Sequence, residues 1–212
     1  MSKFIEGGSV QGLHVLIDSR IPPDVIEEII AAEPSVIQLR DKNLPDSEMT
    51  VWGRFIKEKV EQGGNNSLLI VNDRLVVAEE IDADGLHVGQ SDKPVRLRDR
   101  WPSSKIFGVS ASTVSEAEAV LKLEPTYFGV GPVFPTQSKN DAHEPIGLNG
   151  LKNIREIVGY FPIVAIGGMT LGNAEKVDAE GLAVIGAVTR SPDPRGTIVH
   201  FEKVINDRRV RT

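Results

Sequence analysis

The stretch YFGVGPVFPTQSKNDAHEPIG, Tyr127 to Gly147, decides how the rest of the chain is read. It opens as an apolar run of aromatic and small residues bounded by Gly and Pro, the pattern of a buried strand. Pro132 and Pro135 then fix φ and stiffen the exit. From Pro132 to Gly147 nothing repeats at helical or strand spacing. A loop this long in a compact domain is either functional or disordered. This one leaves a strand directly and carries hydroxyls and an ammonium, at Thr136, Ser138 and Lys139, which suit an anion. Taken alone it reads equally well as a solvated surface loop. The other strand ends shift that balance.

Working outward, the same unit recurs along the chain. Apolar runs lie at Leu13–Ile17, Ser35–Leu39, Leu68–Val71, Gly85–Val88, Lys105–Val109, Tyr127–Gly131, Pro162–Ile166 and Leu182–Ile185. Helical patterns separate them. Pro22 and Pro23 open the first, since Pro suits a first helical turn. Met49, Trp52, Phe55, Ile56 and Val60 mark the second, with Gly63 and Gly64 as its stop. A short helix follows over Leu75–Ile81, then a polar segment to Arg100. Thr113 with Glu116 three residues on has the spacing of a capping box for a helix to Leu123. Later helices are expected over Leu148–Val158 and Leu171–Val177. Ser191 or Asp193 can cap a last one running to about Val204.

Eight strand–helix pairs, with no break in composition and no linker, predict one domain of α/β class. The runs are continuously apolar rather than alternating, as expected where both faces of a parallel sheet are covered. Eight such units in just over two hundred residues point to a single (β/α)8 TIM barrel. The competitor is a doubly wound open sheet. Against it, no G-x-G-x-x-G opens a helix, and eight parallel strands suit closure better. Residues 1–11 and 207–212 are expected to be frayed ends.

The chain has 212 residues, enough for one well-buried core. Its formal net charge of -6 suggests no nucleic-acid surface. The basic tail at Arg208, Arg209 and Arg211 reads as a solvated helix end. There is no Cys, which excludes disulfides, thiolate catalysis and Cys-ligated metals. The first residues show neither the apolar core nor the cleavage site of a signal peptide, and no apolar stretch approaches the ~20 residues of a membrane span. The expectation is a soluble, cytoplasmic, globular protein acting on small molecules, without nucleic-acid or membrane partners. A homo-oligomer is left open.

In a barrel of this kind the active site lies at the C-terminal ends of the strands. Behind the second strand stand Gln38, Arg40 and Lys42; behind the third Asn72, Asp73 and Arg74; behind the fourth Gly89, Gln90 and Asp92. Ser110 follows the fifth, Thr136, Ser138 and Lys139 the sixth, Gly167 and Gly168 the seventh, and Gly186 the eighth. Each alone is weak, but the fold brings them to one rim. Arg40, Lys42 and Lys139 form a cationic cluster, with Arg supplying a planar fork and Lys a point charge for phosphate oxygens. Asp73 and Asp92 facing a bound phosphate make an Mg2+ site, because Mg2+ uses one or two carboxylates with substrate oxygens and water. Their alternative role is a helix cap each. Gly168 and Gly186 suggest a second anion site through backbone N–H groups, or two ordinary tight turns. His14 and His87 lie inside apolar runs and read as satisfied core histidines. His143, in the long loop, carries little weight alone.

The strings IQLRDK, IVNDR, DGLHVGQSD, GVSA, GPVFPTQSK and AIGGM, in this order, resemble the thiamine phosphate synthase (thiamine-phosphate pyrophosphorylase) family. The resemblance runs from about Leu13 to Pro194. It implies a (β/α)8 barrel that joins 4-amino-5-hydroxymethyl-2-methylpyrimidine diphosphate to 5-(2-hydroxyethyl)-4-methylthiazole phosphate, giving thiamine phosphate and pyrophosphate. It implies that Gln38, Arg40 and Lys42, with the backbone of Leu39 and Asp41, hold the pyrimidine diphosphate together with Asn72, Ser110 and Lys139. Arg40, Lys42, Ser110 and Lys139 would carry the catalysis. Asp73 and Asp92 would bind Mg2+. Thr136, Gln137 and Ser138 would contact the thiazole phosphate, with Gly168, Ile185 and Gly186 at its phosphate. The implied mechanism is dissociative, through a pyrimidine cation captured by the thiazole nitrogen, which agrees with the lack of an obvious nucleophile–base pair.

Some positions depart from the family pattern. Ser138 replaces a common second Thr, Gly186 a common Ser, His14 a usual Tyr, and Glu33-Pro34 a common Gly-Gly. Two other functions fit the same barrel. One is a thiazole tautomerase, expected to use a His near the long loop. The other is a non-catalytic regulator of the thiamine pathway. Retention of Asn72, Asp73, Asp92 and the TQSK string argues against the first, and the metal pair against the second.

Overall fold

The computed structural model describes residues 9–64, 66–136 and 144–210, and for Arg209 the backbone only. Eight strands run in chain order: β1 (Leu13–Ile17), β2 (Val36–Leu39), β3 (Leu68–Asn72), β4 (Gly85–Val88), β5 (Ile106–Ala111), β6 (Tyr127–Val130), β7 (Ile163–Ile166) and β8 (Gly181–Val184). Each pairs in parallel with the next, and β1 pairs with β8 in the register Leu13↔Leu182, so the sheet is a closed barrel. The open-sheet alternative is thereby excluded.

Helices α1 (Pro23–Ala31), α2 (Asp46–Gln62), α3 (Leu75–Glu80), α4 (Pro94–Arg100), α5 (Val114–Leu121), α6 (Gly147–Val158) and α7 (Leu171–Ala174) follow the first seven strands. Behind β8 stand a four-residue helix, α8 (Gly186–Thr189), and the long α9 (Pro194–Arg209). Two short elements escaped the periodicity: α8, and a 3-10 turn, Gln90–Asp92, ahead of α4. The last helix passes well beyond Val204. Asp193 rather than Ser191 caps it, its Oδ1 accepting from Gly196 N at 2.8 Å. The expected capping box of α5 is offset by one residue. Thr113 Oγ1 accepts from Glu116 N at 3.1 Å, but Glu116 Oε2 reaches back to Ser112 N at 2.6 Å instead of Thr113 N.

Alternate residues of each strand face two different cores. Outward residues such as Leu13, Val15, Ile37, Leu39, Leu86, Phe107, Phe128 and Leu182 join the apolar faces of the helices in one large cluster. Inward residues such as Leu16, Val36, Leu68, Ile70, Ile106, Tyr127, Val164 and Ala183 fill the barrel. The interior also holds polar groups: His14, Gln38 and His87 are buried there. Glycines make the room. A Cβ on Gly108 would come within 2.4 Å of the Tyr127 ring, and one on Gly129 within 2.8 Å of His87 Cε1.

Candidate active site

At the C-terminal mouth of the barrel lies a cavity of about 430 Å³. Its wall brings together ten of the substrate- and metal-binding residues that the family resemblance implies, Arg40, Lys42, Asn72, Asp73, Asp92, Ser110, Thr136, Gly168, Ile185 and Gly186, and with them Gly89, Gln90 and Gly167 from the expected rim. Gln38, Leu39 and Asp41 stand off that wall. Gln38 is buried beneath it, and the Leu39 side chain is in the barrel–helix core, so only its backbone can serve a ligand. Gln137, Ser138, Lys139 and His143 lie outside the described residues.

The loop behind β2 is held from below. Asp41 Oδ2 accepts from Ser19 Oγ at 2.6 Å and Ser19 N at 3.2 Å, and Oδ1 accepts from Asn43 N and Leu44 N at 2.9 and 3.0 Å. Burial opposes its charge, but these donors outweigh burial and hold its carboxyl down at about 2. Arg74 donates to Asp41 O at 2.9 Å and to Asp46 Oδ1 at 2.5 Å. Arg40 and Lys42 therefore project from a segment tied to the two neighbouring loops, behind β1 and behind β3.

Asp73 follows β3 with φ +65°, a left-handed conformation, and its N–H donates to His87 O at 2.8 Å. It does not cap α3, whose N-cap is Arg74 and has no side-chain cap bond. Its carboxyl instead meets Asp92. Burial first, then the Asp92 charge and hydrogen bond, push it up to about 7, against the pull of Arg40 and Lys42. Asp92 keeps part of a capping role, because its Oδ2 accepts from Gly89 N at 2.8 Å and closes the 3-10 turn. Two crowded carboxylates that resist sharing full charge are a fitting donor set for a divalent cation completed by phosphate oxygens and water. Among the described residues no group of three or more His, Cys, Asp or Glu is gathered for a metal, so a ligand-rich protein cage is not what this pair belongs to.

Beneath the cavity runs a polar chain that sequence reasoning missed. His87 Nε2 lies 2.9 Å from Ser110 Oγ, and its Nδ1 lies 2.8 Å from Tyr127 Oη. Gln38 Nε2 reaches the same phenol at 3.5 Å. The two ring nitrogens of His87 therefore bridge the Tyr127 phenol and the Ser110 hydroxyl. Burial pushes the Tyr127 phenol far above its usual range, so it stays protonated. His87 is thus a satisfied interior histidine, as its apolar setting suggested, but it also sets the hydroxyl that faces the cavity. Gln90 fixes the same residue from above, donating to Ser110 O at 2.6 Å. No signal in the sequence separated this inward histidine from a merely structural one.

The opposite wall differs. Gly167 and Gly168 have φ +99° and +62°, and a Cβ on Gly168 would sit 2.5 Å from Pro135 O. The strand-exit loop lies directly on them, with Val133 N donating to Ile166 O at 2.8 Å and Phe134 N to Gly167 O at 3.1 Å. Both glycines are therefore required by the close approach of two backbones. Asn173 Nδ2 donates to Gly168 O at 2.9 Å and fixes that turn.

The family model described as thiamine monophosphate synthase matches residues 14–190. The chain belongs to the thiamine monophosphate synthase family. It is 44% identical over 172 residues to the thiamine-phosphate synthase of Chloroflexus aurantiacus, covering 80% of this chain and 78% of that protein. It is 38% identical over 211 residues to that of a Roseiflexus species, covering 95% and 87%. Among solved structures, thiamine phosphate pyrophosphorylase from Pyrococcus furiosus superposes with a TM-score of 0.81 at 34% identity, over 93% of this chain and 96% of that one. A 3-hexulose-6-phosphate synthase superposes with a TM-score of 0.69 at 17% identity, over 92% of this chain and 99% of that one, a likeness of fold alone. Thiamine monophosphate synthase membership accounts for the barrel and for the order of the motifs behind its strands.

Proposed function

We propose that the cavity takes its two substrates from opposite sides, the pyrimidine diphosphate against β2–β5 and the thiazole phosphate against β6–β8. The reaction is that of the family: the chain is a transferase that condenses 4-amino-5-hydroxymethyl-2-methylpyrimidine diphosphate with 5-(2-hydroxyethyl)-4-methylthiazole phosphate, releasing pyrophosphate. The observation that carries the two-sided reading is the division of the wall. Arg40, Lys42, Asp73 and Asp92 gather on one side, and the other is built of glycines, apolar residues and Thr136.

In the first step the bond between the pyrimidine methylene and the diphosphate oxygen breaks, and its electron pair leaves with pyrophosphate. Arg40 and Lys42 stand at the diphosphate side and neutralise the growing charge, joined by Lys139 from the strand-exit loop. Asp73 and Asp92 are the residues to hold Mg2+, whose chemistry there is further charge neutralisation on the diphosphate. Asn72 and Ser110, the latter oriented by His87 and Gln90, hold the pyrimidine ring so that its methylene faces the thiazole. In the second step the thiazole nitrogen lone pair forms the new C–N bond. Thr136, Gln137 and Ser138 position the thiazole, with Gly168, Ile185 and Gly186 at its phosphate. Pro132 and Thr136, from the described start of the strand-exit loop, line the cavity beside the thiazole and help to keep water from the cation.

The setting proposed is the cytoplasm, without nucleic-acid or membrane partners. The net charge of -6 supports the first exclusion. Among the described residues no helix is long and apolar enough to cross a membrane.

The experiment is pyrophosphate release on mixing both substrates, with and without Mg2+, for the wild type and for Asp92→Ala and Lys139→Ala. Release that requires both substrates and Mg2+, and collapses in the two variants, is expected. Release in the presence of a chelator would remove the metal role from Asp73 and Asp92. Binding of thiazole phosphate without any release would turn the reading to a tautomerase or a regulator.

A further inference from the structure

A phosphate at the β7–β8 side needs positive charge, and among the described residues the cavity wall there supplies none. The residues behind these strands, from Ile166 to Met169 and from Ile185 to Ala187, are all uncharged. Backbone N–H groups can meet a phosphate, yet a dianion held only by neutral donors leaves most of its charge uncompensated. The first charged side chain beside this wall is Arg190, one turn beyond Gly186. Its backbone N–H donates to Gly186 O at 3.3 Å, which anchors the residue over the glycine. Its side chain folds back onto the space a larger residue would fill. A Cβ placed on Gly186 would lie 3.4 Å from Arg190 Nε and 3.6 Å from both Cδ and Cζ. The guanidinium is solvent-exposed at the rim, and among the described residues it makes no side-chain hydrogen bond or ion pair. Asp193, the acid nearest in sequence, is engaged with the N-terminus of α9.

We propose that Arg190 is a phosphate-binding residue of the thiazole end of the cavity, its guanidinium paired with the phosphate that lies beside Gly186. This rests on the reading of the β7–β8 side as the thiazole-phosphate side. The absence of a side chain at Gly186 is what lets the arginine lie close enough to serve. A planar fork with donors at Nε and the two terminal nitrogens can meet two oxygens of one phosphate, which Lys cannot reproduce geometrically although it keeps the charge. The pairing is exposed, so it weakens with added salt.

The test is isothermal titration of 5-(2-hydroxyethyl)-4-methylthiazole phosphate into the full chain at low and at high ionic strength. Arg190→Gln, Arg190→Lys and the wild type are compared, with the unphosphorylated thiazole alcohol and the pyrimidine diphosphate as control ligands. Arg190→Gln is expected to weaken thiazole phosphate binding about tenfold at low salt. It is expected to leave the alcohol and the pyrimidine diphosphate unmoved, and the loss should shrink at high salt. Arg190→Lys is expected to recover part of the affinity. Equal binding of thiazole phosphate by the wild type and Arg190→Gln at low salt would overturn the assignment of Arg190 while leaving the thiazole end in place. A wild-type chain that does not bind thiazole phosphate would overturn the assignment together with the reading on which it rests. A parallel loss for the alcohol would overturn it as well, since the effect would then be one of shape rather than charge.

Discussion

The Ser110 hydroxyl oxygen lies 2.9 Å from His87 Nε2. This single contact connects the floor of the barrel to the reacting mouth, because His87 holds the buried Tyr127 phenol on its other nitrogen. His87→Leu removes a hydrogen-bond partner from Ser110 and from Tyr127 at once. A buried hydroxyl stripped of its main partner costs about 1–3 kcal/mol, and in a chain of this size each kcal/mol lowers Tm by roughly 2–4 °C. The expected result is a fall of several degrees with a raised KM for the pyrimidine diphosphate. Thermal unfolding and steady-state kinetics on the same preparation decide it. An unchanged KM beside the lowered Tm would mean that His87 only packs.

Gly108 tests the same chain from the side. Its missing Cβ leaves room for Tyr127, whose Cζ and Cε1 would otherwise lie 2.4 and 2.5 Å from it, with His87 Nδ1 at 2.6 Å. No rotamer of Tyr127 escapes easily, because the ring is packed edge-on against His14 and stacked on His87. Overpacking of a filled core costs about 1–3 kcal/mol. Gly108→Ala is therefore expected to lower Tm by several degrees and to displace Ser110. Gly64→Ala, at a turn where nothing lies within 4 Å of an added Cβ, is the contrasting site, where only the backbone strain at φ +63° is felt. Equal Tm for wild type and Gly108→Ala would show that the barrel interior is less tightly filled than these distances imply.

The strands were legible because a closed parallel sheet buries both faces, so each strand is a continuous apolar run bounded by turn residues. The charged rim was legible because topology alone sends every strand end to one mouth. The polar floor was not. Whether His87 points into the barrel or toward the helices depends on which of two alternate faces is inward, and a run apolar on both faces hides that choice. Gly108, on β5, makes room for both Tyr127 and His87, and Gly129, on β6, makes room for His87; only the register Gly108↔Tyr127 and Gly108↔His87 brings these three strands' residues together. The turn at α8 was invisible for a different reason, since four residues are too few for any period to show. Asp73 was read as a candidate metal ligand or a helix cap, and its left-handed backbone, which excludes the capping role, has no signature in an Asn-Asp-Arg string.

The Asp73–Asp92 pair makes a prediction about stability as well as activity. The Asp73 carboxyl is raised from 3.8 to about 7 in the folded chain, by burial and by Asp92. A group shifted upward contributes stability that is fully present below its unfolded pKa and lost as pH rises through its folded pKa. Metal-free protein is therefore expected to lose stability relative to Asp73→Asn as pH climbs from about 4 to above 7. Asn tolerates the left-handed backbone at this position, so the substitution isolates the charge. At pH 8 in chelator, Asp73→Asn is expected to melt several degrees higher than wild type. Added Mg2+ should raise the wild-type Tm and leave the variant where it was. Thermal scans across pH, with and without Mg2+, check both statements. A variant that melts lower than wild type at pH 8 would show that the two carboxylates do not repel.

Asp41 gives the opposite sign. Its carboxyl is lowered from 3.8 to about 2 by Ser19 and the N–H groups of Asn43 and Leu44. A depressed group contributes stability that is present above its unfolded pKa and lost as pH falls through its folded pKa. Asp41→Ala frees four donors, two of which, on Ser19, hold the exit of β2 to the exit of β1. The loss at neutral pH is expected to be about 1–3 kcal/mol, narrowing as wild type is titrated from pH 4 toward 2. Because Arg40 and Lys42 flank Asp41, the same change should raise the KM for the pyrimidine diphosphate while the affinity for thiazole phosphate holds. That split is the deciding readout. A fall in affinity for both substrates would mean that the loop supports the whole mouth of the barrel rather than the diphosphate side alone.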